Sequence, residues 1–221
     1  MIRMKNKIKK SLLLFLSISL LLGSLSCFSG CMIGAPKTEE IYDRVVELIE
    51  ASYAVNTVFL GAGLPTHERD SAYADFMHMY YHFEHTGYEI VSDHARYLSV
   101  DEIKHAAEQV YSKGYLEDVL YPNAFDGYAI EDGSGGAEIA NARYLEDSDW
   151  IYHAQASENY LTGGMRIYDY STMRVVVPSG KNAITVEIDS YLPNDPANIL
   201  NDSIRLVKQD DGLWYLDSFT G

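Results

Sequence analysis

Ile41, Val45, Leu48, Ile49, Ser52 and Val55 recur at helical spacing, which predicts an amphipathic helix from about Glu39 to Phe59. Thr38 stands at the N-cap position, and Glu39 and Glu40 place negative charge in the first turn, where the helix dipole favours it. Gly61-Ala62-Gly63-Leu64-Pro65 ends the helix, because glycine loses backbone entropy there and proline has no amide to donate. The box Ser99-Val100-Asp101-Glu102 starts a second helix, in which Val100, Ile103, Ala106, Ala107 and Val110 form an apolar face and Lys113-Gly114 forms the stop. Tyr115 to Tyr121 reads as a further turn or two of helix ahead of Pro122.

From Ala142 onward the period shortens to two, and turn residues punctuate it. Arg143-Tyr144-Leu145 and Trp150-Ile151-Tyr152 flank an acidic tip, and Ile167–Val177 and Ile184–Tyr191 flank Pro178–Asn182. In the latter hairpin Ile184, Val186 and Ile188 alternate with Thr185, Glu187 and Asp189, the mark of a sheet with one buried face. A last pair, Ser203–Lys208 and Leu213–Phe219, turns through Gln209-Asp210-Asp211-Gly212 and carries Trp214 and Leu216 inward. Helices first and strands afterwards predict an α+β fold, with N-terminal helices packed on a curved antiparallel β-sheet.

Two stretches leave that pattern. Between Pro122 and Gly136 the chain reads as a long loop, and loops of that length in a compact domain are functional or mobile. The stretch Phe76–Val91 fits two periods. On a helix His78, His82 and His85 would share a face, as paired zinc ligands do, whereas strict alternation of Met77, Met79, Tyr81 and Phe83 with His78, Tyr80, His82 and Glu84 fits a strand. A strand separates His78 from His82 by about 13 Å, too far to share an ion. The aromatic content and Gly87 favour the strand, so no metal or other cofactor is expected.

Met1 to Lys10 carries five basic residues and no acid, and the Leu-rich run Ser11–Leu22 is too short to span a bilayer with ease. These are the parts of a signal peptide over residues 1–30. Phe28-Ser29-Gly30-Cys31 has the form of a bacterial lipoprotein cleavage box, which makes Cys31 the expected lipid-bearing N-terminus. Cys27 fits less well, since Ser24 stands where the bulky apolar residue belongs; an ordinary signal peptide cut near Gly30 is the other possibility. Cys27 and Cys31 are the two cysteines of the chain, so a mature protein beginning at Cys31 has no pair with which to form a disulfide. Residues 31–38 then read as a lipid-anchored tether, residues 39–221 as one domain, and the location as the outer face of the cytoplasmic membrane.

The 221 residues include 17 basic and 32 acidic side chains, a net charge of −15. Without the five basic residues of the leader, 12 basic remain against 32 acidic, a net charge of −20. A surface so acidic repels phosphate, so nucleic acid is excluded as a partner, while a basic protein is favoured. The sequence contains no phosphate-binding glycine loop, paired-cysteine motif or nucleophile elbow. His67, His94 and His105 read as solvated and His153 as structural; most of the 18 tyrosines read as core.

The order of helix, Gly-Leu-Pro bend, Tyr88-Glu89-Ile90-Val91, Ala95–Ile103, Ala142–Glu146, Ile204–Lys208 and Gly212–Ser218 resembles the IseA-like inhibitors of cell-wall D,L-endopeptidases. The ending is similar to ketosteroid-isomerase-like secreted domains as well. The first resemblance implies a non-enzymatic protein that occludes the cleft of NlpC-type cysteine peptidases, the suspected cell-wall hydrolase partner. The loop Pro122–Gly136, with Phe125, Asp126, Tyr128, Glu131 and Asp132, is then the candidate contact by its length and composition. The second implies a small-ligand pocket walled by aromatic residues, and a lipoprotein scaffold without a ligand is a further alternative.

Replacing Cys31 with Ser should shift the protein from the membrane to the soluble fraction, because two acyl chains at one residue anchor stably. A Cys31→Ser chain that stays bound, while Cys27→Ser is released, would move the lipid to Cys27.

Overall fold

The computed structural model describes residues 36–67, 87–131, 137–140, 142–147, 149–154, 165–178 and 182–221. The signal peptide, Cys27, Cys31, most of the tether, Asp132 and the histidines at 78, 82 and 85 lie outside the described residues.

Helix α1 (Thr38–Phe59) buries Ile41, Val45, Leu48, Ile49, Ser52 and Val55, the face its periodicity predicts. Its cap differs from expectation. Lys37 takes the cap position and its amide donates to Glu40 Oε2 at 3.3 Å, while Thr38 Oγ1 accepts from the Val175 amide at 3.1 Å. The threonine thus ties the helix start to a strand 137 residues away. At the other end the amides of Leu60 and Gly61 both donate to the Asn56 carbonyl, at 2.8 and 2.9 Å, and the Gly63 amide donates to Thr57. These bonds satisfy the carbonyls that a helix end leaves open.

After β1 (Tyr88–Ile90), helix α2 (Val100–Glu108) begins at Ser99, whose Oγ accepts from the Glu102 amide at 3.1 Å. Glu102 Oε2 reaches back to the Leu98 amide at 2.7 Å. The expected stop at Lys113-Gly114 is corrected: α2 ends at Glu108, and Gly114 lies inside a new helical segment, α3 (Lys113–Tyr115), capped by Ser112. The cause is tertiary. Val110 and Ser112 exchange backbone hydrogen bonds with Leu216 at 2.9 and 2.7 Å, and that pairing pulls the chain out of its helix.

The expectation of a long loop from Pro122 to Gly136 is also corrected. Helical backbone continues past α3 through two wide π-turns, Leu116–Leu120 and Pro122–Asp126, which accommodate a proline at their junction. Gly127, at φ 67°, ends the run in a backbone region that favours glycine. Strands β2 (Tyr128–Glu131) and β3 (Ala137–Ala140) then form an antiparallel hairpin.

Strands β4 (Tyr144–Asp147) and β5 (Trp150–Ala154) complete a three-stranded sheet in the order β1-β5-β4. The larger sheet is the meander β6 (Ile167–Pro178), β7 (Ala183–Leu192), β8 (Asp195–Lys208) and β9 (Trp214–Leu216). Register shifts in β6 between Asp169 and Arg174, and between β7 and β8 beyond Ser190, mark bulges of the kind that bend strands. The fold is α+β, as its order of helical and alternating periods predicts.

The core lies between α1 and the inner face of the meander. Ile184, Val186, Ile188, Ile204 and Leu206 have no more than 1% of their surface exposed, and they join Val45, Leu48 and Ile49 in one apolar cluster. Burial of each such side chain contributes about 1.5–3 kcal/mol. The cluster extends to the π-turns, where Phe125 meets Phe59 edge-on at 5.7 Å and stands 5.6 Å from Tyr121. Lys104 Nζ sits 5.1 Å from the Phe125 centroid, on the outer side.

Phe125→Ala should lower stability by about 2 kcal/mol in urea unfolding, because it leaves a gap against Phe59 and Tyr121. An unchanged midpoint would mean that the ring contributes no packing.

Candidate functional site

Three clusters of polar side chains stand out, and each is placed by a different pairing of elements. The first forms where β4 and β5 meet the bend after α1. Strand register aligns Glu89, His153 and Tyr144 across β1, β5 and β4, and Tyr144 stacks on His153 with centroids 4.9 Å apart. The Tyr144 hydroxyl donates to the Val58 carbonyl and accepts from the Leu64 amide, both at 3.0 Å, so it bridges the two sides of the bend. Arg143 Nη2 donates to the Gly61 carbonyl. Gly63 has φ 82°, and a Cβ there would lie 2.2 Å from His153 Cε1, so both conformation and space require glycine.

Burial is the main reason that the His153 imidazole is held down to about 4; the neighbouring Arg143 guanidinium adds to it, while Glu89 and a hydrogen bond with the Leu64 backbone oppose it. A neutral imidazole wedged under the bend is a structural part at neutral pH, the role its place after Tyr152 predicts. His94 is exposed, as expected, but His67 is not: its side chain is 18% exposed and lies 3.9 Å from Asp93.

The second cluster joins the middle of α1 to the chain after β9. Ser52 Oγ and Thr220 Oγ1 are 2.6 Å apart, Asn56 Nδ2 donates to the Thr220 carbonyl, and the Tyr111 hydroxyl donates to Asn56 Oδ1 at 2.6 Å. All four residues are buried. Burial pushes the Tyr111 phenol up to about 12, so it stays a hydrogen-bond donor at any physiological pH. At the next residue, Ser112 Oγ donates to Asp217 Oδ1, and Asp217 pairs with Arg205 at 3.0 Å. Beside this network lies a cavity of about 200 Å³ lined by Asn56, Thr57, Gly61, Ala62, Met165, Phe219 and Gly221.

The third cluster closes the inner face of the meander where its apolar row ends. Ser190 follows Ile188 on the same face of β7; its Oγ accepts from Arg166 Nε at 2.6 Å and donates to Asp202 Oδ2. Arg166 also donates to the Ser190 carbonyl at 3.0 Å and lies 3.3 Å from Asp202. The Tyr53 hydroxyl of α1 donates to the Arg166 carbonyl at 3.1 Å. Burial, with Asp202 nearby, raises the Tyr168 phenol well above its ordinary value. The same end exposes Ile167 and Ile199, at 41% and 61%, on the outer face and Leu200, at 47%, on the Ser190 face.

Of the candidate contact residues, Phe125 turns its ring onto the core and Asp126 is exposed on the last π-turn. Tyr128 and Glu131 lie on β2, where the backbone alone is described. None of the three clusters is visible as a sequence motif, because their members are up to 168 residues apart. Strand parity is the one signal that could have found Ser190 and Asp202, since both fall on the apolar-facing rows of β7 and β8.

Among the described residues no helix is long and apolar enough to cross a membrane. Comparison of the chain with protein-family models, curated proteins and solved structures finds no match.

The His153 environment sets a pH dependence. The unfolded chain takes up this proton near 6.5 and the folded chain near 4, so stability is complete above 6.5 and falls as pH drops toward 4. Urea unfolding should show about 2 kcal/mol lost between pH 7 and 5 through this group. His153→Phe, which keeps a ring against Tyr144 but cannot titrate, should flatten the profile by that amount; an unchanged slope would assign the loss to other groups.

Proposed function

We propose that this chain is a membrane-anchored extracytoplasmic binding protein that inhibits or modulates cell-wall D,L-endopeptidases of the NlpC type by occluding their active-site cleft. In this reading it is not itself an enzyme. The lipoprotein box at Cys31 supports the location, and the net charge of −20 after the leader supports a basic protein as the target.

The observation that carries the reading is how the inner face of the meander is used. Side chains of α1 fill it, and at its end Arg166, Ser190 and Asp202 satisfy one another. A ligand-binding cone would keep that face open as an aromatic-walled pocket. That packing supports recognition through the surface. The 200 Å³ cavity beside Asn56 favours the second reading, a small-ligand-binding lipoprotein, although it is smaller than the roughly 300 Å³ at which pockets for drug-sized ligands begin.

The purified mature domain, added to NlpC-type hydrolases digesting peptidoglycan, should inhibit at about 1 μM or below and release no peptide by itself. Association should slow as salt rises beyond about 0.1 M, while dissociation changes less. A panel of such enzymes that keeps full activity would overturn the inhibitor reading and bring the small-ligand reading forward.

A further inference from the structure

We propose that the exposed end of β6, β7 and β8 is the surface on which a basic protein partner docks through an apolar contact ringed by Lys and Arg. The inference rests on the reading above for the class of partner and adds the location of the contact.

Strand register puts the relevant residues side by side. Ile167 of β6 stands opposite Tyr191 of β7 and Asp189 stands opposite Asn201 of β8, so by strand alternation Ile199 shares their face, while Leu200, opposite buried Ser190, lies on the other. Beyond Ser190–Leu200 the register jumps to Leu192–Asp195, so β8 carries extra residues there, with Ile199 among them. Ile199 is the most exposed large apolar side chain among the described residues at 61%, and Ile167 on the same face is 41% exposed. Single exposed apolar residues are ordinary on a soluble surface, but Ile167 and Ile199 on either side of the half-buried Tyr191 at one sheet end suit a contact.

Charge selects the occupant. The next rung on the Tyr191 face places Asp169 directly opposite Asp189, a like-charge cross-strand pair that opposes sheet stability. Asp169 Oδ1 accepts from Ser171, and Asp189 Oδ1 accepts from Asn201 Nδ2 at 2.7 Å. Neither carboxylate has a basic side chain within ion-pair distance among the described residues. A Lys or Arg from outside would relieve their repulsion. A second copy of this chain would bring the same two acids to the contact, and an anionic lipid surface would be repelled. A basic protein surface with an apolar side chain at its centre satisfies both the carboxylates and Ile199.

The test uses the purified mature domain and basic NlpC-type hydrolase domains, with binding kinetics and inhibition measured together. Ile199→Asp combined with Ile167→Asp should weaken binding about tenfold or more, chiefly through faster dissociation. Asp169→Asn with Asp189→Asn should slow association at low salt and reduce its salt dependence, while the thermal midpoint stays level or rises. Val119→Asp, at an exposed apolar position on the π-turns, should leave binding unchanged. If the double Asp variant folds poorly, the Asn pair, which keeps side-chain volume, decides.

Binding that is lost in the sheet-end variants but present without inhibition would uphold this surface and overturn cleft occlusion. Inhibition that survives in all of those variants would overturn this surface and uphold the inhibitor reading. Absence of binding by the unaltered domain across the panel would overturn both.

Discussion

An antiparallel meander with one apolar face cannot stand in water alone, and the covering of that face by α1 is the constraint from which the other contacts follow. Ile184, Val186, Ile188, Ile204 and Leu206 need a partner surface, and the row Ile41, Val45, Leu48, Ile49 supplies one of matching length. Once α1 lies on the sheet, its two ends must be held. Thr38 does so at the start through the Val175 amide, and Tyr144 and Arg143 do so beyond the end through the bend at Gly61–Leu64. The smaller sheet therefore acts as a bracket on the helix as well as a second layer.

Polar side chains also enter the buried face of α1, between Ile49 and Phe59. Ser52 and Asn56 lie on its buried face, and each is satisfied by Thr220, with Tyr111 completing the set. An unsatisfied hydroxyl or amide there would cost about 1–3 kcal/mol, so the segment after β9 is held in place by the same bonds that make Ser52 and Asn56 tolerable. Arg166, Ser190 and Asp202 solve the matching problem at the other border of the apolar row. These networks specify a position and a register, which apolar contacts alone do not.

The surface carries the opposite character. Its acids outnumber its bases, and the exposed sheet end sets apolar Ile167 and Ile199 on the same face as the like-charged Asp169–Asp189 pair. Stability gains nothing from that arrangement, since like charges across strands repel and exposed apolar area is hydrated. A basic partner would convert both into favourable contacts, which links the charge of the chain to its proposed role at the envelope.

Local periodicity determined α1, the start of α2 at Ser99, the alternating strands β4 to β7 and the α+β class, because each depends on residues within a turn or a rung of one another. It found the helical turns of Tyr115–Tyr121 but misjudged the stop at Lys113-Gly114 and the stretch from Pro122 to Glu131, where Gly114 and Pro122 read as breakers. There the backbone of Val110 and Ser112 pairs with Leu216, and Phe125 packs on Phe59, contacts that outweigh propensities of about 1–3 kcal/mol. The same distance in sequence hid the clusters around His153, Thr220 and Asp202. Their side chains have no meaning as motifs, since only the folded sheet and helix bring hydrogen-bonding partners from opposite ends of the chain within 3 Å, and burial then decides which of them are neutral, charged or paired.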